Sequence, residues 1–327
     1  DPEAVPGDSM FLVGDIGATN TRLARARLRD GRYELESVTV YPSRDAESLL
    51  PLAQRYLREH PGGIEGAAFG LPGPVEDFRV RTTNLPWEVD GRHLERELGV
   101  RVRLLNDLEA AGWGLAALRR EDLHTVQEGR PVEGNRAVIA PGTGLGEGLV
   151  IREADRDVPV ATEGSHAEFG PASEEDVDLW RFLRARYGHV SYERIASGPG
   201  LVDLYEFHAD RAGAATEPPW SGEEDRAAAI HRAAEVSACP VCRAALSTFC
   251  RVLGAEAGNL ALAALTRGGV FVTGGIAPKM LPWIDAGEFV QGFRDKGRYR
   301  ELLASIPVYV VLDGRVGMRG AARSLRG

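Results

Sequence analysis

The sequence predicts an α/β protein of two lobes. The chain has 327 residues, more than one small core organises. Short apolar runs of strand length alternate with stretches of helical periodicity. One device also occurs twice: an apolar run ends in a glycine-rich turn and a second extended run follows. The two copies, Phe11 to Leu28 and Ala137 to Ile151, read as a weak internal duplication.

The elements follow in order. Phe11-Leu12-Val13 runs into Gly14-Asp15-Ile16-Gly17-Ala18-Thr19-Asn20, and an extended stretch covers Arg22 to Leu28. Asp30-Gly31 is a turn signal, and Tyr33 to Tyr41 alternates as a third strand. Leu49, Leu52, Ala53, Tyr56 and Leu57 share one helical face, so a helix spans Asp45 to Glu59. Ala67-Ala68-Phe69 is a buried strand stopped by Gly70-Leu71-Pro72-Gly73-Pro74, and Arg92 to Leu98 is a short helix. Val102 to Leu105 is the next strand, with Asn106-Asp107 at its carboxyl end and a helix from Leu108 to Leu118.

The second lobe opens with the strand Ala137 to Ala140, the turn Gly142-Thr143-Gly144-Leu145-Gly146-Glu147-Gly148 and the apolar Leu149-Val150-Ile151. Glu174 to Leu265 reads as largely helical, with a surface loop at Ala212 to Asp225 and a helix start at Pro240. Val270 to Thr273 and Val308 to Leu312 are late buried strands, and Arg319 to Leu325 is a final helix. The expected smaller lobe is 10–116 with 312–327, and the larger is 117–311. Residues 1–9, polar and without an apolar signal core, read as a loose extension or an expression remnant.

Composition excludes several classes. A formal net charge of −9 leaves no basic footprint for nucleic acid. Apolar runs reach strand length only, so no membrane partner is expected. Cys239, Cys242 and Cys250 are too few and too clustered for a disulfide framework, which fits a reducing, cytoplasmic setting. Lys279 and Lys296 are the only lysines, and neither lies in a phosphate-binding motif.

Five groups of residues carry candidate chemistry. In Asp15-x-Gly17-x-Thr19-Asn20 the glycine lets backbone amides converge on a phosphate. Thr19 adds a hydroxyl, and Asp15 can hold Mg²⁺, directly or through water. A plain turn with a capping Asp is the alternative. Gly142-Thr143-Gly144-Leu145-Gly146 is neither a dinucleotide fingerprint, since Glu147 and a strand follow, nor a Walker loop, since no Gly-Lys pair exists. It reads either as a second phosphate cradle or as a flexible turn. Asp107 at a strand's carboxyl end can accept a proton from a substrate hydroxyl, or can cap its own helix. Glu163-Gly164-Ser165-His166 together with Glu193 can receive sugar hydroxyls, or can form a structural pair. Gly274-Gly275 after a buried strand admits a flat ring, or simply ends the strand.

As an ordered set these residues resemble the bacterial glucokinase family, within the sugar kinase, actin and heat-shock chaperone superfamily. The likeness runs from about Phe11 to Ala322. It rests on Leu-Val-Gly-Asp-Ile-Gly-Ala-Thr-Asn at 12–20, Thr-Asn-Leu-Pro-Trp at 83–87, Leu-Asn-Asp at 105–107 and Gly-Thr-Gly-Leu-Gly at 142–146. Glu-Gly-Ser-His at 163–166, Ser-Gly-Pro-Gly-Leu at 197–201 and Gly-Gly-Ile at 274–276 complete it. The resemblance implies two ribonuclease-H-like (actin-like ATPase) lobes around a central cleft, with mixed sheets flanked by helices, usually as a homodimer. It implies an ATP-dependent kinase that phosphorylates glucose at its C6 hydroxyl, with Mg²⁺. By it Asp107 is the catalytic base, and Asn106, Glu163, His166 and Glu193 join it in binding glucose. Asp15, Gly17, Thr19 and Asn20 line one side of the ATP phosphates, Gly142, Thr143 and Gly144 the other, and Gly274 and Gly275 lie near adenosine.

Two departures stand out: Ala18 and Ser165 occupy positions where the family often has glycine, so Ala18 must adopt a φ that a Cβ tolerates. Three other readings are weaker. A zinc deaminase would use His166-x-Glu168 and Cys239-x-x-Cys242, but Ala238 stands where its proline belongs. A sugar-sensing repressor conflicts with the acidic charge. A kinase for another hexose, or one using polyphosphate, differs only in the fine placement of Glu163, His166 and Glu193.

Overall fold

The computed structural model describes residues 9–82, 85–213, 217–222, 225–236 and 239–326. Thr83 and Asn84 of the Thr-Asn-Leu-Pro-Trp motif, Ala238, residues 1–8 and part of the Ala212 to Asp225 loop lie outside the described residues.

In chain order the elements open with β1 (Met10–Ile16), β2 (Asn20–Arg29), β3 (Arg32–Pro42), α1 (Leu49–Glu59) and β4 (Gly66–Leu71). A small ribbon follows, of β5 (Val75–Glu76), β6 (Arg79–Arg81) and β7 (Glu88–Asp90). Next come α2 (Gly91–Leu98), β8 (Arg101–Asn106), α3 (Asp107–Gly114), β9 (Leu123–Gln127), β10 (Arg136–Pro141), β11 (Leu145–Glu153) and β12 (Arg156–Thr162). Four helices succeed them, α4 (Glu174–Tyr187), α5 (Gly198–Ala212), α6 (Arg226–Val236) and α7 (Pro240–Ala264). The chain closes with β13 (Gly269–Val272), α8 (Leu281–Asp285), α9 (Glu288–Arg294), α10 (Arg300–Ser305), β14 (Val308–Val311) and α11 (Val316–Ser324). The expected helix 45–59 begins only at Leu49, because Ser43–Asp45 forms a separate 3₁₀ turn. The expected helix 108–118 stops at Gly114 and continues as 3₁₀ over Leu115–Ala117.

Two compact units result. The first runs to Asp122 and includes Gly148–Ala161 and the segment from Asp313; the second comprises Leu123–Glu147 and Thr162–Leu312. Sequence reading left 148–161 with the larger lobe. The structure ties it to the first unit through glycines of small volume: a Cβ on Gly112 would meet Val150 and Pro159 at 3.1 Å, and one on Gly148 would meet Leu108 at 3.2 Å.

The first unit is built on a five-stranded sheet of order β3-β2-β1-β4-β8. β1 and β2, and β2 and β3, pair antiparallel as tight hairpins, while β1, β4 and β8 run parallel. Alternation along β1 explains why both faces are covered. Leu12 and Ile16 point to one side and join Leu49, Leu52, Ala53 and Tyr56 of α1. Phe11 and Val13 point to the other and join Met318, Ala321 and Ala322 of α11. Each large side chain buried here stabilises the fold by about 1.5–3 kcal/mol. On that second side α3 and α11 touch backbone to backbone. A methyl group on Gly114 would overlap the Val316 carbonyl, and one on Gly320 would overlap the Ala110 carbonyl.

The second unit holds most of a six-stranded sheet of order β12-β11-β10-β13-β14-β9. β10, β13 and β14 are parallel, and β9 is antiparallel to β14. Helix α7 is 25 residues long and buries fifteen of them, because Gly254 and Gly258 let the backbone at Phe289 and Phe293 of α9 approach. No single helix among the described residues is long and apolar enough to cross a membrane.

Candidate active site

The first unit contributes two groups of predicted residues. Asp15 lies near the end of β1, directly across the ladder from Arg22 of β2, and Arg22 Nη1 donates to Asp15 Oδ2 at 3.0 Å. The turn that follows closes with the Gly17 amide donating to the Asn20 carbonyl at 2.9 Å. Neither Gly17 nor Ala18 has a positive φ, so the alanine at 18 is accommodated without strain. Thr19 is exposed at the tip.

Ser43 braces this turn from outside, a residue that sequence reasoning did not select. Its amide donates to the Thr19 carbonyl at 2.9 Å, its hydroxyl donates to the Gly17 carbonyl at 2.7 Å, and the same oxygen lies 3.0 Å from the Thr21 hydroxyl. The only available signal was a serine just past the end of β3, too common to act on.

Asn106 and Asp107 sit where β8 becomes α3. The cap of α3 is Asn106 and not Asp107: its side-chain oxygen accepts from the amides of Leu108 at 2.9 Å and Glu109 at 3.3 Å. Its Nδ2 donates to the Gly73 carbonyl at 3.3 Å. An amide side chain has two donors and one oxygen acceptor, so one N–H of this buried group is left for a ligand. Asp107 is the first residue of α3, half-buried, with Oδ1 accepting from the Leu108 amide at 2.9 Å. A carboxylate there interacts favourably with the helix dipole. Gly70 near the end of β4 lets α3 pack this close to the sheet, since a Cβ would lie 3.3 Å from the Ala110 Cβ.

The second unit gathers the remaining residues into one connected array. The Gly142 amide donates to the Gly144 carbonyl at 2.8 Å, closing the second glycine turn, and the Gly142 carbonyl accepts from the Gly198 amide at 2.8 Å. Glu193 is the hub. Its Oε2 accepts from the Leu145 amide at 3.1 Å and fills the space beside Gly144, where a Cβ would lie 2.5 Å away. Its Oε1 lies 3.8 Å from His166 Nδ1, while His166 Nε2 lies 3.7 Å from Glu163 Oε2. The imidazole thus stands between two carboxylates, just beyond direct hydrogen bonding and at a spacing that a hydroxyl or water bridges. Backbone contacts fix the array: the Glu193 amide donates to the Ser165 carbonyl at 3.0 Å, and His189 Nε2 meets the His166 carbonyl at 2.9 Å.

Beside the second turn lies a cavity of about 260 Å³, lined among others by Ser197, Gly198, Leu201, His231, Ile276 and Met280. Of the Gly274-Gly275-Ile276 motif only Ile276 lines it. Gly274 has φ +89° and packs toward the Pro141 carbonyl, whereas a Cβ on Gly275 would meet nothing within 4 Å. The motifs at 197–201 and 274–276 reach this lining through Ser197, Gly198, Leu201 and Ile276, while His231 and Met280, from a distant helix and turn, carried no signal in the sequence. Ser197 accepts from the Gly200 amide at 3.2 Å and caps α5; the motif 197–201 is therefore a helix start that also borders the cavity.

The zinc-deaminase reading finds no site. Cys239 Sγ accepts from the Cys242 amide at 3.3 Å and caps α7, and no group of three or more His, Cys, Asp or Glu among the described residues can hold a metal.

The sequence profile of the glucokinase family matches residues 12–327. The chain belongs to the glucokinase family. It is 38% identical to a glucokinase of Nostoc punctiforme over 335 residues, covering 96% of this chain and 98% of that one. It is 39% identical to a glucokinase of Synechocystis over 343 residues, covering 95% and 96%. Among solved structures, the glucokinase from an Antarctic psychrotroph superposes with a TM-score of 0.85 at 32% identity, covering 97% of this chain and 99% of that one. The glucokinase of Balamuthia mandrillaris, solved with glucose, shares the fold with a TM-score of 0.82 at 22% identity, covering 98% and 94%. The two-lobed, actin-like ATPase architecture read from the family's motifs is the one this glucokinase-family chain has.

Proposed function

We propose that the chain transfers the γ-phosphoryl group of ATP to the C6 hydroxyl of glucose, with Asp107 as general base. Membership of the glucokinase family makes it an ATP-dependent hexose kinase. The observation that carries the role of Asp107 is the division of labour at the start of α3. Asn106 does the capping, and one Asp107 oxygen is occupied by the Leu108 amide. A carboxylate relieved of the main cap is suited to proton transfer.

In this reading Glu163, His166 and Glu193 accept from and donate to the sugar hydroxyls, and the remaining Asn106 N–H adds one donor. Adenosine takes the cavity beside Gly275, and the phosphates meet the amides of the Gly142–Gly144 turn and of the Gly17–Asn20 turn, with the Thr19 and Thr143 hydroxyls as further donors. Asp107 takes the C6 proton as the oxygen attacks phosphorus and the bond to the ADP oxygen breaks. The transition state is loose, so positioning and electrostatics supply most of the rate.

Mg²⁺ fits the donor set at Asp15. Arg22 engages that carboxylate through Oδ2, and a single carboxylate plus nucleotide oxygens and waters suits this ion. When bound, the ion neutralises phosphate charge. A cytoplasmic homodimer completes the reading, supported by the family resemblance alone; sedimentation of the purified chain as a monomer would remove the dimer.

Asp107→Ala is expected to lower kcat by about 10²–10⁴-fold while ATP binding stays within about twofold. Near-normal turnover would refute the assignment. Glu163→Gln is expected mainly to raise the KM for glucose, and an unchanged KM removes it from the sugar shell.

A further inference from the structure

Glu147 is the residue that sets the second glycine turn apart from a dinucleotide fingerprint, and the sugar array does not use it. It is 1% exposed, and neither carboxyl oxygen has a hydrogen-bond donor among the described residues. Its neighbour is a second buried carboxyl, Glu256 of α7, 5% exposed. Glu256 is the neighbour that acts most strongly on Glu147, by its charge and as a hydrogen-bonding side chain. Two carboxylate anions cannot bond to each other, because neither has a proton to give. One proton between them removes the conflict: one group donates, the other accepts, and the buried pair carries one charge in place of two.

The surroundings fit a singly protonated pair. Asn259 Nδ2 donates to Glu256 Oε2 at 2.8 Å and lies 3.0 Å from the Tyr192 hydroxyl, which marks Glu256 as the accepting partner. Lys296 attracts the Glu256 charge, and Asp295 in turn acts on Lys296. On the opposite side is the sugar turn. A Cβ on Gly164 would lie 2.5 Å from Glu147 Oε2, so the backbone of the Glu163–His166 turn rests on this carboxyl. The Gly164 amide is taken by the Thr162 hydroxyl at 2.8 Å and does not satisfy Glu147. Burial, the Glu256 charge and the Glu163 charge together push the Glu147 carboxyl up to about 9.

We propose that Glu147 is a positioning residue for glucose: a single proton shared with Glu256 holds the Glu163–His166 turn in its binding geometry, and loss of that proton weakens sugar binding. The proposal rests on the reading that this turn carries the sugar. The sign follows from the raised carboxyl. The protonated form prevails through neutral pH, and above about pH 9 a second buried anion repels Glu163 and Glu256.

The test is glucose binding by calorimetry without nucleotide, from about neutral pH to about pH 10, with KM and kcat alongside. In the parent the Kd for glucose is expected to rise about tenfold per pH unit above the pair's midpoint, with a flat KM for ATP. Glu147→Gln, which keeps an N–H donor without a titrating proton, is expected to flatten the glucose profile. An equal slope in parent and variant overturns the proposal. If Glu147→Gln fails to fold, Glu256→Gln is used instead: loss of the Glu256 charge that helps raise Glu147 is expected to move the midpoint of the glucose profile to lower pH, and an unmoved midpoint overturns the proposal. Infrared spectra give a readout independent of the sugar site: a protonated-acid carbonyl band at neutral pH, lost in Glu147→Gln. Absence of that band in the parent overturns the shared proton. A band that is present, with a Glu163→Gln KM that is unchanged, overturns the sugar-site reading and with it the positioning role.

Discussion

The two glycine-rich turns, Gly17–Asn20 in the first unit and Gly142–Gly146 in the second, are the same device with different supports. Both join antiparallel-type extended runs, and both close with a short amide-to-carbonyl bond, 2.9 Å in the first and 2.8 Å in the second. Around the first, the supports are local. Ser43 holds two of its carbonyls, and its carboxylate, Asp15, is neutralised by Arg22 in the adjacent strand. Around the second, the support is a carboxylate from 48 residues away, Glu193, whose other oxygen faces His166. The first turn is thus held without any bond to the residues proposed to hold the sugar. The second is mechanically joined to the residues proposed to hold the sugar.

That difference is open to attack. The largest effect is expected from Glu193→Gln, which loses a charged acceptor worth about 1–3 kcal/mol. kcat/KM for glucose should fall about 10–100-fold, and the KM for ATP should rise with it. A change confined to glucose would cut the link between turn and sugar array. Asp15→Asn is the control in the other unit. It should raise the Mg²⁺ requirement about tenfold and leave glucose binding in the absence of nucleotide unaltered. Smaller effects come from the glycines. Gly144→Ala forces Glu193 Oε2 away from a Cβ 2.5 Å distant, whereas Gly17→Ala meets the Asn20 carbonyl at 3.1 Å. A several-fold rise in glucose KM is expected only for the former. Ser43→Ala removes hydroxyl bonds to the Gly17 carbonyl and to Thr21. It should lower stability by about 1–2 kcal/mol in urea unfolding, with little change in glucose KM.

Much of this was legible before the structure. The strands and helices that flank the turns carry strong period-2 and period-3.6 patterns, and β1, α1, β4, β8 and α7 fall where those patterns put them. Asp107, His166 and Glu163 stand in short motifs whose order pointed to one family. What stayed hidden lacks a local signal. The Glu193–Leu145 and Ser43–Gly17 bonds join residues far apart in sequence. The cap of α3 passes from Asp107 to Asn106 because a one-residue shift in the strand end decides which side chain faces the free amides. Glu147 looked like an ordinary polar residue after a glycine turn; only burial beside Glu256 makes it unusual.

A crystal structure with glucose and a non-hydrolysable ATP analogue tests the central claim most directly. The account predicts one Asp107 carboxylate oxygen within about 2.6–3.2 Å of the glucose C6 hydroxyl, with Glu163, His166 and Glu193 on the other hydroxyls. Glucose bound away from Asp107, with both of its oxygens on the amides of α3, would contradict it.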